Sequence, residues 1–157
     1  MLKRLLAGSA FLTLAGQQAP PPAVYTAAQA AAGRTAYLSS CAKCHTETLI
    51  GRDGTGDIPE AARAYGGKIP PLAGANPAFP PFLAKWGPRT TKALYSRIQE
   101  ATGGFPPPEL RLDQELYLNL TAYVLQANGA PPGTRALTPD TAVEIRSLAT
   151  AAPKAER

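Results

Sequence analysis

The chain is poor in the side chains that most often bind metals, because its 157 residues include one histidine, two cysteines and one methionine. A structural zinc site usually takes four protein ligands, and cysteine and histidine together supply three here. Dense basic runs are also lacking, although 16 basic and 11 acidic residues give a net charge of +5. Without basic and aromatic residues interleaved on one surface, nucleic acid is not an expected partner.

Apolar runs long enough to cross a bilayer comfortably are missing as well. The apolar run at residues 5–14 follows Lys3 and Arg4 and precedes small residues, which is the pattern of an export signal. We therefore predict a signal peptide over residues 1–19, with its cleavage position left open. No cysteine follows the run, which excludes lipid attachment by that route. The expected location is the periplasm, without stable membrane insertion; an uncleaved segment acting as a membrane tether is the alternative.

Proline and glycine, by contrast, are abundant, with 17 and 14 residues. This composition favours a small helical core joined by long irregular loops, and residues 51–67 are predicted to form turns. Strand pairing is not predicted. Apolar spacing and capping residues predict helices at about 26–42, 59–65, 91–101, 113–127 and 139–148.

Both cysteines and the histidine stand together in the segment Cys41-Ala42-Lys43-Cys44-His45. Two cysteines with this spacing, followed by histidine, are the attachment signature of a c-type haem. The thiols can reach the two vinyl groups on one porphyrin edge, and the imidazole can bind the iron. A thioredoxin-like redox pair is the alternative, but it needs a preceding strand, and the preceding segment is predicted to be helical. One covalent haem c is therefore expected, with Cys41 and Cys44 as thioethers and His45 as the proximal metal ligand.

Three further segments make the sequence resemble class I c-type cytochromes: a helix with Gly33 and Tyr37 before the motif, residues 70–74 (Pro-Pro-Leu-Ala-Gly), and residues 117–129. The last segment is similar to cytochromes and cytochrome domains associated with quinoprotein (PQQ-dependent) alcohol dehydrogenases. The resemblance covers about residues 30–133. It implies an all-α fold, small and cytochrome c-like, with long loops around one haem.

The resemblance also implies a division of the chain and several contacts. The cytochrome domain would span residues 26–133, after a flexible lead-in at 20–25 and before a tail at 134–157 with a short helix. Gly33 and Tyr37 would cross the C-terminal helix near Tyr123.

Four more residues gain roles near the haem from the same resemblance. The Pro70 carbonyl would accept a hydrogen bond from His45 and fix its orientation. Leu72 would pack on the haem face. Trp86 and Arg89 would contact the haem propionates, with ordinary core packing for Trp86 and a solvated charge for Arg89 as the alternatives.

One position departs from the family pattern. Phe105 stands where these cytochromes carry the methionine that is the second axial ligand, and the only methionine, Met1, belongs to the predicted signal peptide. The iron would then be five-coordinate with Phe105 over its distal face, or bind water or hydroxide, or take a substitute ligand. The substitutes are the α-amine produced by cleavage and the side chains of Lys68, Lys85, Lys92, Tyr65 and Tyr95.

These expectations define a function. The leading hypothesis is an electron carrier rather than an enzyme, which exchanges electrons with a redox partner such as a quinoprotein dehydrogenase. Loss of methionine ligation predicts a lower potential. The alternative is a five-coordinate haem that binds nitric oxide or carbon monoxide for sensing or scavenging. Weak peroxidase activity is a third option, disfavoured because no distal histidine is available for acid–base chemistry.

Overall fold

The structure is a computed structural model that describes residues 22–104 and 113–148. The predicted signal peptide and Phe105 lie outside these residues. The described chain is mostly helical, which agrees with the expected fold class at that coarse level. Its elements in chain order are α1 (Ala27–Ser40), α2 (Ala42–His45), β1 (Arg52–Asp53), α3 (Glu60–Arg63), β2 (Lys68–Ile69), α4 (Phe82–Trp86), α5 (Thr91–Gly104), α6 (Gln114–Ala127) and α7 (Ile145–Leu148).

Capping side chains fix where the two central helices begin. Thr26 and Gln29 form a capping box at the start of α1, each side chain bonding to the backbone of the other over 3.2 Å. Asp113 caps α6 by accepting a hydrogen bond of 2.7 Å from the backbone N–H of Leu116. Asn128 ends α6 as its C-cap residue, as predicted.

The core of the molecule forms where α1 crosses α6. A Cβ atom on Gly33 would lie 1.9 Å from the backbone oxygen of Asn119 and 2.9 Å from the Cβ of Tyr123, so only glycine permits this approach. One turn further along α1, the rings of Tyr37 and Tyr123 pack with their centroids 5.4 Å apart. The predicted helix contact is confirmed.

The segment before α1 is part of this core. Val24 and Tyr25 are buried, and the Tyr25 hydroxyl donates a hydrogen bond to the carbonyl of Ala130. The backbone N–H of Gly133 donates to the Tyr25 carbonyl over 2.7 Å. Residues 24 and 25 of the predicted lead-in therefore pack against the core, and Tyr25 is hydrogen-bonded through both its hydroxyl and its carbonyl.

The C-terminal segment, residues 134–148, also packs into the domain. Its apolar residues Leu137, Ile145 and Leu148 are each at most 2 % exposed. Gln29 exchanges two hydrogen bonds with the backbone of Leu137, at 2.8 and 3.0 Å. Thr91, fully buried, is hydrogen-bonded to Val143 through its backbone and its hydroxyl. Residues 134–148 of the predicted tail therefore pack against the domain, and the predicted helix at 139–148 is present as the shorter α7.

A two-stranded antiparallel sheet was not predicted. β1 pairs with β2 in the register Arg52 with Ile69 and Asp53 with Lys68. A strand of two residues is too short to show the alternation of apolar and polar side chains that predicts strands. Backbone hydrogen bonds hold the two strands together. Residues 51–67 were expected to form turns throughout. Instead they form a loop whose base is closed by this sheet.

Across the described ranges, none of the helices combines the length and apolar character needed to span a bilayer.

Candidate cofactor site

The end of α1 leads directly into the Cys41–His45 motif. The N–H of Cys41 donates to the carbonyl of Tyr37 over 2.8 Å and completes the last turn of α1. The Cys41 carbonyl then accepts from the N–H groups of Cys44 and His45, at 3.1 and 2.9 Å. The two thiols and the imidazole therefore project from one short helical turn. Both cysteines are free and partly buried.

Burial keeps the Cys41 thiol protonated. It raises the pKa of Cys41 to about 11, and the nearby Cys44 contributes in the same direction. A thiol in this state is a poor metal ligand and a poor disulfide-forming nucleophile near neutral pH, since both roles need the thiolate.

The imidazole of His45 is oriented by a backbone carbonyl. His45 Nδ1 lies 3.0 Å from the Pro70 oxygen. A carbonyl can only accept, so Nδ1 carries the hydrogen and Nε2 keeps its lone pair for a metal. Burial lowers the pKa of His45, opposed by this hydrogen bond. The neutral imidazole, the form that binds iron, is therefore favoured, and the expected contact between His45 and Pro70 is present.

Gly51 and Arg52 cap the motif turn, a role that the sequence analysis missed. The last carbonyl groups of a helix have no partner within it. Here Arg52 donates from Nη2 to the Lys43 carbonyl (3.1 Å) and from Nε to the Cys44 carbonyl (3.2 Å). The Gly51 N–H donates to the His45 carbonyl over 3.0 Å. Three consecutive carbonyls are thus satisfied by two consecutive residues.

Gly51 also permits the close approach that brings Pro70 to the histidine. Its φ is +70°, and a Cβ there would lie 2.1 Å from the Ile69 oxygen and 2.8 Å from the Pro70 oxygen. The only signal of this in the sequence is a glycine shortly after the motif, which does not by itself indicate which backbone it meets.

Leu72 belongs to the same hydrogen-bonded region. Its N–H and that of Ala73 donate to the Leu49 carbonyl at 2.8 and 3.2 Å, and its own carbonyl accepts a 2.7 Å hydrogen bond from the Asn128 side chain. The Leu72 side chain is partly buried against the core. The structure thus groups five of the predicted site residues: Cys41, Cys44, His45, Pro70 and Leu72.

Trp86 and Arg89 form a second group. The Arg89 guanidinium carbon lies 5.3 Å from the centroid of the Trp86 ring, and that ring stacks on Phe82 with centroids 6.2 Å apart. The Ile145 N–H donates to the Arg89 carbonyl over 2.9 Å. Between this pair and the motif, no hydrogen bond is found in the described part of the chain.

The side chains that were considered as substitutes for the missing axial methionine differ in their surroundings. Lys92 Nζ lies 3.0 Å from a carboxylate oxygen of Asp140, in an exposed ion pair. Tyr95 is buried, whereas Tyr65 is 51 % exposed. Lys68 and Lys85 are exposed.

The donor set of the motif fits a covalently attached haem. It offers two free thiols and one imidazole on a single turn. The Nδ1 atom of this imidazole is already hydrogen-bonded to the Pro70 carbonyl. In the two described ranges, no three His, Cys, Asp or Glu side chains gather into a cluster that could hold a metal ion.

No family model, curated protein or solved structure matches this chain. The functional assignment therefore depends on the chemistry of the site itself.

Proposed function

We propose that this protein is a monohaem c-type cytochrome that carries electrons in the periplasm. Cys41 and Cys44 would hold the haem through thioether bonds, and His45 would bind its iron through Nε2. The observation that carries the proposal is the hydrogen bond between His45 Nδ1 and the Pro70 carbonyl, because it leaves Nε2 free to bind iron on a residue of the same turn that bears both thiols. When bound, the haem would supply one-electron transfer at its iron.

The residues around the motif would support that role by restricting motion. Pro70 holds the imidazole in one tautomer and orientation. Arg52 and Gly51 hold the turn, and Leu72 lies beside it, anchored by Asn128. A site held this rigidly suits an electron carrier, since little rearrangement accompanies the change of oxidation state.

Covalent attachment is the first property to test. The protein would be expressed in the periplasm of a host that attaches haem c, then denatured and stained for haem on a gel. We expect a haem-positive band that the double variant C41A/C44A lacks. Arg63→Ala, at an exposed arginine, would serve as the control and keep the band. A wild-type protein that carries no haem after denaturation would contradict the proposal.

A second candidate function is reversible binding of carbon monoxide or nitric oxide at an open iron position. It is favoured by the sequence, in which His45 is the only histidine and Met1 the only methionine. Spectra of the reduced protein with and without carbon monoxide would decide between the two. A large shift supports an open position, whereas an unchanged low-spin spectrum would mean that a protein side chain already binds the iron.

Phe105→Met tests the position at which the family carries its methionine. We expect a higher midpoint potential and a weaker response to carbon monoxide, because thioether ligation stabilises the reduced iron. Phe79→Met, a matched change elsewhere, should alter neither property. An unchanged potential in the Phe105 variant would mean that this segment does not reach the iron.

The redox partner is proposed from the resemblance to cytochromes of quinoprotein alcohol dehydrogenases. Mixing the oxidised protein with such a dehydrogenase and its alcohol should reduce the haem on the stopped-flow timescale. Reduction no faster than with the dehydrogenase omitted would exclude this partner while leaving the carrier function open to others.

A further inference from the structure

We infer that Arg52 is a positioning residue of the candidate cofactor site: its guanidinium group fixes the turn that carries Cys41, Cys44 and His45 and places beside that turn a positive charge that forms no ion pair with any described residue. The part of this inference that concerns redox potential rests on the proposed function, whereas the part that concerns the turn does not.

The geometry of the guanidinium group is the first argument. Its Nη2 and Nε donate to the carbonyls of Lys43 and Cys44, and Nη1 donates to the Asp57 carbonyl over 3.1 Å. A planar fork can serve three carbonyls at once, whereas the ammonium of a lysine is a point donor on a flexible stem. Arg52 thus connects the motif turn to Asp57 in the loop that follows it.

The charge of Arg52 is the second argument. All three of its hydrogen bonds go to neutral carbonyls. The two ion pairs found among the described residues are Arg63 with Glu60 and Lys92 with Asp140, so neither involves Arg52. Of the neighbouring acids, Asp57 contributes only its backbone, and the Asp53 carboxylate accepts hydrogen bonds from Thr55. A partly buried cation that forms no ion pair within the described ranges favours the less positive, reduced state of a nearby redox centre.

The position of Arg52 in the sheet is the third argument. Arg52 pairs with Ile69, whose successor in the chain is Pro70. Arg52 therefore contacts two elements. Its side chain binds the carbonyls of the motif turn, and its backbone pairs with the strand that precedes Pro70, the hydrogen-bond acceptor of His45. Because the pairing with Ile69 is made by the backbone, a change of the side chain removes only the contacts of the guanidinium group with the motif turn and Asp57.

The test uses the full chain with and without haem, and the variants Arg52→Met, Arg52→Lys and, as a matched control, Arg63→Met. Amide hydrogen exchange at His45 and Gly51 reports the turn, and spectroelectrochemical titration reports the potential. We expect Arg52→Met to speed exchange about tenfold, as the loss of a charge-assisted hydrogen bond would, and to lower the potential. Arg52→Lys should speed exchange but keep the potential near that of the wild type, and Arg63→Met should change neither.

Several outcomes would overturn the inference. An Arg52→Met variant that matches Arg63→Met in exchange and in potential would remove it, as would a lysine that restores wild-type exchange. If Arg52→Met does not fold, Arg52→Lys decides by the same two readouts. If the wild type carries no haem, the proposed function fails, and exchange in the haem-free chain alone decides whether Arg52 holds the turn. The inference would also be overturned if the amides of His45 and Gly51 exchanged without protection in the wild type both with and without haem.

Discussion

Two regions of the molecule meet at the motif and are held together in different ways. The crossing of α1 and α6 depends on close packing, with backbone against backbone at Gly33. The segment from Thr46 to Ala73 depends on hydrogen bonds to backbone carbonyls, made by the Gly51 N–H, the Arg52 side chain and the Leu72 N–H. Added volume should therefore damage the crossing most, whereas lost donors and altered backbone angles should damage the loop.

A substitution at the crossing of α1 and α6 should cause the largest loss of stability. Gly33→Ala is expected to destabilise the fold by about 3 kcal/mol, because the added methyl group overlaps backbone that has no room to move. Urea unfolding monitored by circular dichroism would measure the change. Ala32→Ser, at an exposed position of α1, should cost less than about 0.5 kcal/mol. Equal stabilities for the two variants would show that the helices do not approach each other this closely.

The loop offers a matched pair of glycines. Gly51 and Gly56 have similar φ values, +70° and +77°, but a Cβ at Gly56 would meet nothing within 4 Å. Both substitutions by alanine pay for the left-handed backbone, so their difference isolates the contact with Ile69 and Pro70. We expect Gly51→Ala to be less stable than Gly56→Ala by about 2 kcal/mol in the same unfolding assay. A negligible difference would contradict the close approach at Pro70.

The link between the two regions should have a smaller effect. The Asn128 side chain at the end of α6 donates to the Leu72 carbonyl over 2.7 Å and to the Val124 carbonyl over 2.8 Å. Asn128→Ala should cost about 1 kcal/mol in unfolding free energy. Exchange at the Leu72 amide should also become faster in this variant. A slower or unchanged rate would mean that α6 does not restrain the loop.

The smallest effect is expected at the exposed pair of Arg63 and Glu60 on α3. Their charged atoms lie 2.7 Å apart, but the side chains are 66 % and 85 % exposed. Arg63→Ala should change stability by less than about 0.5 kcal/mol, and less still at high salt, since solvent screens the pair. A loss as large as that at Asn128 would show that surface charge contributes more to the loop than the geometry suggests.

The same contrast explains what the sequence could predict. The helix crossing near Tyr123 was expected from the resemblance, to which Gly33 and Tyr37 in the first helix contribute. The contact of His45 with Pro70 was expected from the resemblance alone. The sheet and the cap made by Gly51 and Arg52 were missed, because a short strand or a single arginine leaves no periodic pattern.

The partners of the C-terminal segment could not be predicted from the sequence, for a physical reason. Its buried residues, Leu137, Ile145 and Leu148, are few and widely spaced, so they do not indicate which surface they meet. Their burial depends on surfaces supplied by distant parts of the chain, including Gln29 and Thr91. Phe105 is a different case, since it lies outside the described residues and its prediction stands untested.

The paired hydrogen bonds between Gln29 and Leu137 connect positions 108 apart in the chain. During folding, the start of α1 can therefore gain this contact only after the chain has brought these two distant positions together. Contacts of such long range slow folding, because the chain loses the entropy of loop closure before the contact stabilises the fold. A chain truncated before Leu137 would lack both of these hydrogen bonds at the start of α1.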